Sequence, residues 1–284
     1  MAGIAARFRL AGAGLLLGIG FAPSGSDIVP ITGNNWSGNM IALRFDGDLP
    51  TARRAVFERA ATRWDGVVQT AFDPVTFEGE TLTGVRIDVS VRPLDGTDGV
   101  LGQAGPTVLR PDTELPVAGI MEFDQADVQN LEAGGRFEDV VLHEMAHVLG
   151  FGTLWDRKGL ITGAGTMDPR FVGTASRREF AALDPDGEQA VPVANTGGPG
   201  TREGHWRELV FGNELMTGFL SGEVRPLSRL TLASFEDLGY PVDYAAADPF
   251  DLPEFRDLAK MGITEAVRIC DLCRMGRTDP VVLN

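Results

Sequence analysis

His143-Glu144-Met145-Ala146-His147 puts two imidazoles four residues apart in a chain that holds three histidines in all. On a helix, positions i and i+4 lie one turn apart on the same face, so both rings can share one metal ion. Glu144 projects beside them, able to reach a water on that ion without being a ligand. Phe137, Val140, Val141, Val148 and Leu149 supply the apolar contact that such a helix needs, from about Arg136 to Leu149. In a chain so poor in histidine, chance produces this spacing around a glutamate well under about one time in a hundred.

Two imidazoles are not a complete site. Zinc suits imidazole nitrogen, and a catalytic zinc takes three protein ligands plus water. Gly150 follows three residues after His147 and lets the chain leave the helix and turn back under the metal. In the compact spacing H-E-x-x-H-x-x-G-x-x-H the third imidazole would fall where this chain has Thr153. The remaining histidine is His205, in Gly204-His205-Trp206-Arg207-Glu208, followed by Asn213-Glu214-Leu215-Met216-Thr217-Gly218. A carboxylate such as Glu179 or Glu188 is the rival third ligand, and the setting of Gly150 and Trp206 favours His205.

The rest of the chain reads as α+β. Residues 25–40 form an extended lead-in rich in Gly, Ser and Asn, and Met40 to Phe45 reads as a strand. Val56, Ala60, Trp64 and Val67, widened by Phe57 and Val68, recur at helical spacing between Thr51 and Thr70. Val85, Ile87, Val89 and Val91 alternate with polar residues, the signature of a strand. A Gly/Pro/Asp-rich loop follows, then a short strand from Gly119 to Asp124, read either as a sheet edge that receives an extended peptide or as an internal strand. Beyond Gly150 the composition becomes loop-rich, and helical character returns from Thr231 to Leu238 with Gly239 as its cap. The expected division is residues 41–150 as an N-terminal subdomain ending in the metal-binding helix, 151–250 as a loop-rich C-terminal subdomain, and 251–284 as a peripheral tail.

The segments His143-Glu144-Met145-Ala146-His147-Val148-Leu149-Gly150-Phe151, His205-Trp206 and Asn213 to Gly218 together resemble the leishmanolysin family of metzincin metallopeptidases. Leu232 to Tyr240 is similar to that family's segment after its methionine turn. The resemblance implies a zincin-like fold, a twisted mixed sheet beside the active-site helix, and hydrolysis of protein or peptide substrates. It implies His143, His147 and His205 as zinc ligands, Glu144 as the catalytic acid/base, and Met216 as a hydrophobic floor below the metal. The chain departs from the family's eukaryotic members in having few cysteines and no large C-terminal domain.

Composition narrows the alternatives. With 25 basic against 40 acidic side chains, the formal charge is −15, which argues against nucleic acid, whose phosphates need Lys and Arg. No apolar run reaches the roughly 20 residues of a membrane span. Arg7 and Arg9, then the apolar stretch Leu10 to Ala22 and small residues after it, have the layout of a signal peptide over residues 1–24. Export to a periplasmic or extracellular space follows; a buried N-terminal helix or an early start codon would instead leave the protein cytoplasmic. Asn35-Trp36-Ser37 fits a glycosylation sequon, and Cys270 and Cys273 form either a local disulfide or two idle thiols. Asp95 to Gly99 and Asp184 to Glu188 carry carboxylates that could bind calcium, but lack an EF-hand's spacing and read as solvated loops. The functional expectation is a zinc endopeptidase. Its alternative is an exported binding or adhesion protein with a non-catalytic zinc site.

Overall fold

The computed structural model describes residues 28–29, 40–69, 72–94, 96, 102–184, 190–198, 200–220, 224–253, 267–268, 273–275 and 279–283. The signal-peptide segment, the Asn35 sequon, Glu188, Cys270 and nearly all of both acidic loops lie outside them. Among the described residues no helix is long and apolar enough to cross a membrane.

The chain enters the main sheet with β1 (Ile28–Val29) and β2 (Ile41–Phe45), crosses over as α1 (Thr51–Val67), and forms a hairpin of β3 (Val75–Phe77) and β4 (Glu80–Leu82). It returns as β5 (Val85–Arg92), β6 (Gly102–Leu109) and β7 (Pro116–Asp124), then adds α2 (Gln125–Ala133) and α3 (Phe137–Val148). The second half holds β8 (Ile161–Thr162), β9 (Arg170–Phe171), α4 (Thr174–Leu183), β10 (Val191–Pro192), α5 (Glu208–Phe211), β11 (Phe219–Leu220) and α6 (Arg229–Leu238). Short strands β12 (Val267–Arg268), β13 (Cys273–Met275) and β14 (Val281–Val282) follow.

The main sheet is mixed, in the order β1-β2-β5-β7-β6-β13, with β14 also on β6. β2, β5 and β7 are parallel, while β6 runs antiparallel to β7. Parallel neighbours need a crossover between them, which α1 provides between β2 and β5. Ile41, Leu43 and Phe45 of β2 and Val85, Ile87 and Val89 of β5 are buried, as their alternation requires. α1 lays Phe57, Ala60, Ala61, Trp64 and Val67 into the same core. The helix is rotated slightly from the expected stripe, leaving Val56 half-buried and centring on Phe57. The Phe57 ring meets Phe45, Phe123 and Phe137 edge-on at 5.9, 5.7 and 5.6 Å. Burying one such ring is worth about 1.5–3 kcal/mol. Trp64 Nε1 donates to the Leu142 carbonyl at 3.0 Å, fixing α1 to the helix that carries His143 and His147.

Two expectations need correction. The stretch before Gly119 is not simply a loop, because it contains β6. The strand from Gly119 to Asp124 starts earlier, at Pro116, and lies between β5 and β6, so it is internal and not an edge. Pro106 and the register shifts beside it mark β6 as the strand nearer the boundary, where a missing N–H is tolerated. The polar side of β5 is covered at its start: Arg86 is only 3% exposed, under the β3–β4 hairpin. It donates to Glu78 and Glu80 at 2.7 and 3.1 Å and stacks over the Phe77 ring.

Asp65, in the last turn of α1, accepts the Ile41 N–H at 3.0 Å and so joins the helix to the start of β2. Burial raises its carboxyl to about 6 from an ordinary value of 3.8, against the opposing effect of backbone hydrogen bonds from Ile41 and Met40. A raised folded-state value means that the stability this group contributes is full below about 3.8 and is lost as pH climbs through 6. Asp65→Asn keeps an acceptor without the charge. Urea unfolding should therefore find it more stable than the parent at pH 7, with the gap closing as pH falls towards 4. A gap independent of pH would show that the buried charge is not the cause.

Candidate metal centre

α3 supplies two of the three imidazoles. Glu138 and Asp139 sit in its first turn and His147 in its last, the charge order that a helix dipole favours for acidic side chains at the start. Every side chain from His143 to Val148 is buried, so the helix enters the core with its polar pair enclosed. After Leu149, Gly150 takes φ +113°, which turns the chain off the helix as the sequence suggests. Tyr240 anchors this exit by donating its hydroxyl to the Leu149 carbonyl at 2.9 Å.

Two steps later Gly152 meets the strand of chain that delivers the third ring. Its φ is +71°, and a Cβ there would lie 2.3 Å from the Gly204 carbonyl oxygen. Only glycine permits that approach, and it sets His205 beside the helix. Trp206 then locks the segment in place. It is fully buried, and its indole lies 5.1 Å from both Phe151 and Trp155 and 5.5 Å from Phe171. Its backbone N–H donates to the Met216 carbonyl at 3.0 Å.

The three rings meet at their Nε2 atoms. His143 lies 3.0 Å from His205 and 3.1 Å from His147, and His147 lies 3.0 Å from His205. Each Nδ1 faces a backbone carbonyl: Leu215 for His143 at 2.8 Å, Phe151 for His147 at 2.9 Å, and Thr201 for His205 at 3.0 Å. A carbonyl can only accept, so each Nδ1 carries the proton and each Nε2 turns a bare lone pair inward. Three converging lone pairs repel one another unless a cation lies among them, and atoms this close can all reach one ion at about 2.0–2.1 Å. The residues present therefore fit zinc, with the three carbonyls fixing the orientation of each ring behind its metal-facing nitrogen.

Burial keeps the rings neutral. It is the main cause that holds His143 and His205 well below the ordinary imidazole value, and neighbouring imidazoles push both further down. His147 is lowered to about 4, again by burial. Glu144 is 1% exposed, in the same enclosed segment. Met216 is fully buried on the turn that gives its Leu215 carbonyl to His143.

Glu179, the described carboxylate rival, is elsewhere: on α4 it pairs with Arg178 at 3.0 Å and Arg229 at 2.8 Å. Among the described residues, the cluster able to hold a metal is His143, His147 and His205. Sequence reasoning passed over Gly152, Thr201 and Glu214. The Gly-x-Gly around Phe151 is a signal for close backbone approach; a backbone carbonyl such as that of Thr201 leaves no trace in residue type.

Comparison with known protein families matches residues 83–252 to the peptidase family described as leishmanolysin. No curated protein matches the chain.

Because the imidazoles of the metal-free protein are neutral well below pH 6.5, zinc need not displace protons from them. Titration calorimetry at pH 6 in buffers of differing ionisation enthalpy should find close to zero protons released per zinc. Release of about two would mean the rings hold protons in the folded apo state, contrary to their burial.

Proposed function

The chain belongs to the leishmanolysin peptidase family, and from that premise we propose that it is a zinc-dependent endopeptidase. His143, His147 and His205 hold the ion, and Glu144 is the general base and acid. The observation that supports this most is the convergence of three Nε2 atoms at 3.0–3.1 Å with all three Nδ1 atoms engaged by carbonyls.

Zinc, when bound by three protein ligands, lowers the pKa of a coordinated water and polarises a carbonyl. The remaining work falls to this chain's side chains. Glu144, held on the helix between the two imidazoles, takes a proton from the attacking water and hands it to the departing amine. The neutral imidazoles contribute no negative charge, so the ion's positive charge is left uncompensated for polarising the substrate carbonyl. Met216 closes the floor of the site as an apolar, non-competing side chain.

The second reading, a binding protein with a structural zinc, asks for four ligands closing the coordination sphere. The described cluster of three side chains supports an open position instead.

Glu144→Gln preserves the shape of the helix and removes the base. The variant should bind one zinc per chain like the parent while casein hydrolysis falls by at least about 100-fold. A chelator should abolish hydrolysis by the parent, and added zinc restore it. Undiminished hydrolysis by a zinc-loaded Glu144→Gln protein would remove Glu144 from the mechanism.

A further inference from the structure

The turn before Met216 contains a buried acid that the peptidase reading leaves without a task. Glu214 is fully buried. Its Oε2 accepts the Met216 N–H at 2.6 Å. Its Oε1 accepts the Ser228 hydroxyl at 2.6 Å, the Thr231 hydroxyl at 2.6 Å and the Ser228 N–H at 3.2 Å. Four donors converge on one side chain, an arrangement that suits an acceptor and partly offsets the cost of burying it, although burial still holds the carboxyl above its ordinary value.

Two of these bonds lead back to rings of the metal centre. By holding the Met216 N–H, Glu214 fixes the turn whose Leu215 carbonyl accepts from His143 Nδ1. The Thr231 hydroxyl, committed as a donor to Glu214, presents its oxygen to Trp206 Nε1 at 2.8 Å. Trp206 is the residue next to His205, and its backbone N–H closes the circuit on the Met216 carbonyl. Ser228, the N-cap of α6, is bound to the same carboxylate, so the helix start is held in the same frame.

We infer that Glu214 is a positioning residue for the metal centre, aiming His143 through the Leu215 carbonyl and His205 through Thr231 and Trp206. This rests on the zinc peptidase reading and adds to it a group that touches neither metal nor substrate. An alternative role as a plain core strut makes a different prediction. A strut would stabilise the metal-free and zinc-loaded protein equally, whereas a positioning residue acts on the difference between them.

The experiment measures zinc dissociation constants by chelator competition, and melting temperatures with and without zinc, on the full chain. Glu214→Gln sets an amide NH2 against the Met216 N–H or against the Ser228 N–H, neither of which can accept, so one donor always meets another. Its zinc affinity should fall by about 10-fold, the low end of what losing a direct partner of a ligating imidazole costs, and the rise in melting temperature on adding zinc should shrink. Thr231→Val keeps the carboxylate but cuts the link to Trp206, and should weaken zinc binding to a lesser degree. It carries the test if Glu214→Gln does not fold. Val128→Ala, a core truncation in α2, should lower both melting temperatures while leaving the zinc constant unchanged. If the parent binds zinc and both Glu214→Gln and Thr231→Val bind it equally tightly, the positioning role is overturned and the peptidase reading stands. If the parent itself takes up no zinc, both fall.

Discussion

Three imidazole lone pairs pointed at one spot, inside a protein, form an arrangement with a cost. Each ring gives up water, and the Nε2 atoms face one another at hydrogen-bond distance with no proton between them. The fold supports this by giving every Nδ1 a carbonyl from a different segment: the exit of α3, the loop before His205 and the methionine turn. A structure that holds such a cluster together is prepared for a cation, since binding one removes the repulsion at no further cost in ring ordering.

The parts of the fold serve that arrangement in order. The sheet and α1 fix α3, through the Phe57 ring cluster and the bond from Trp64 to the Leu142 carbonyl. The helix exit, bent at Gly150 and pressed against Gly204 at Gly152, brings the second half of the chain within reach. Trp206 then anchors the third imidazole in an aromatic cluster with Phe151, Trp155 and Phe171. The Arg225 guanidinium reinforces the methionine turn, donating to the Leu215 carbonyl at 2.9 Å, the same oxygen that receives His143. Neither half of the chain contains a complete site.

What could be read beforehand follows from how far each signal reaches. The helix of His143 and His147, the alternating β5 and the capped α6 are local, written in periods of 3.6 and 2 residues with terminal glycines. His205 was legible because histidine is so scarce here that few candidates existed. β6 was not, since Gly102, Gly105 and Pro106 have low strand propensity and are held extended by pairing with β7. α4 also escaped notice, for its N-terminal amides at Ala175 and Ser176 are capped by Asp237 from α6, leaving no start signal next to Gly173. α2 was within reach, because Asp124 is a local cap for Ala126. Glu214 stood in a quoted motif, yet its burial among hydroxyls from a separate helix exists only in three dimensions.

X-ray absorption at the zinc edge, on protein loaded with one equivalent of zinc, examines the centre directly. It should report three imidazole nitrogens and one further light atom at about 2.0–2.1 Å. Sulfur scattering near about 2.3 Å would place the metal at cysteine instead. Fewer than two imidazoles in the shell would equally contradict a site built from His143, His147 and His205.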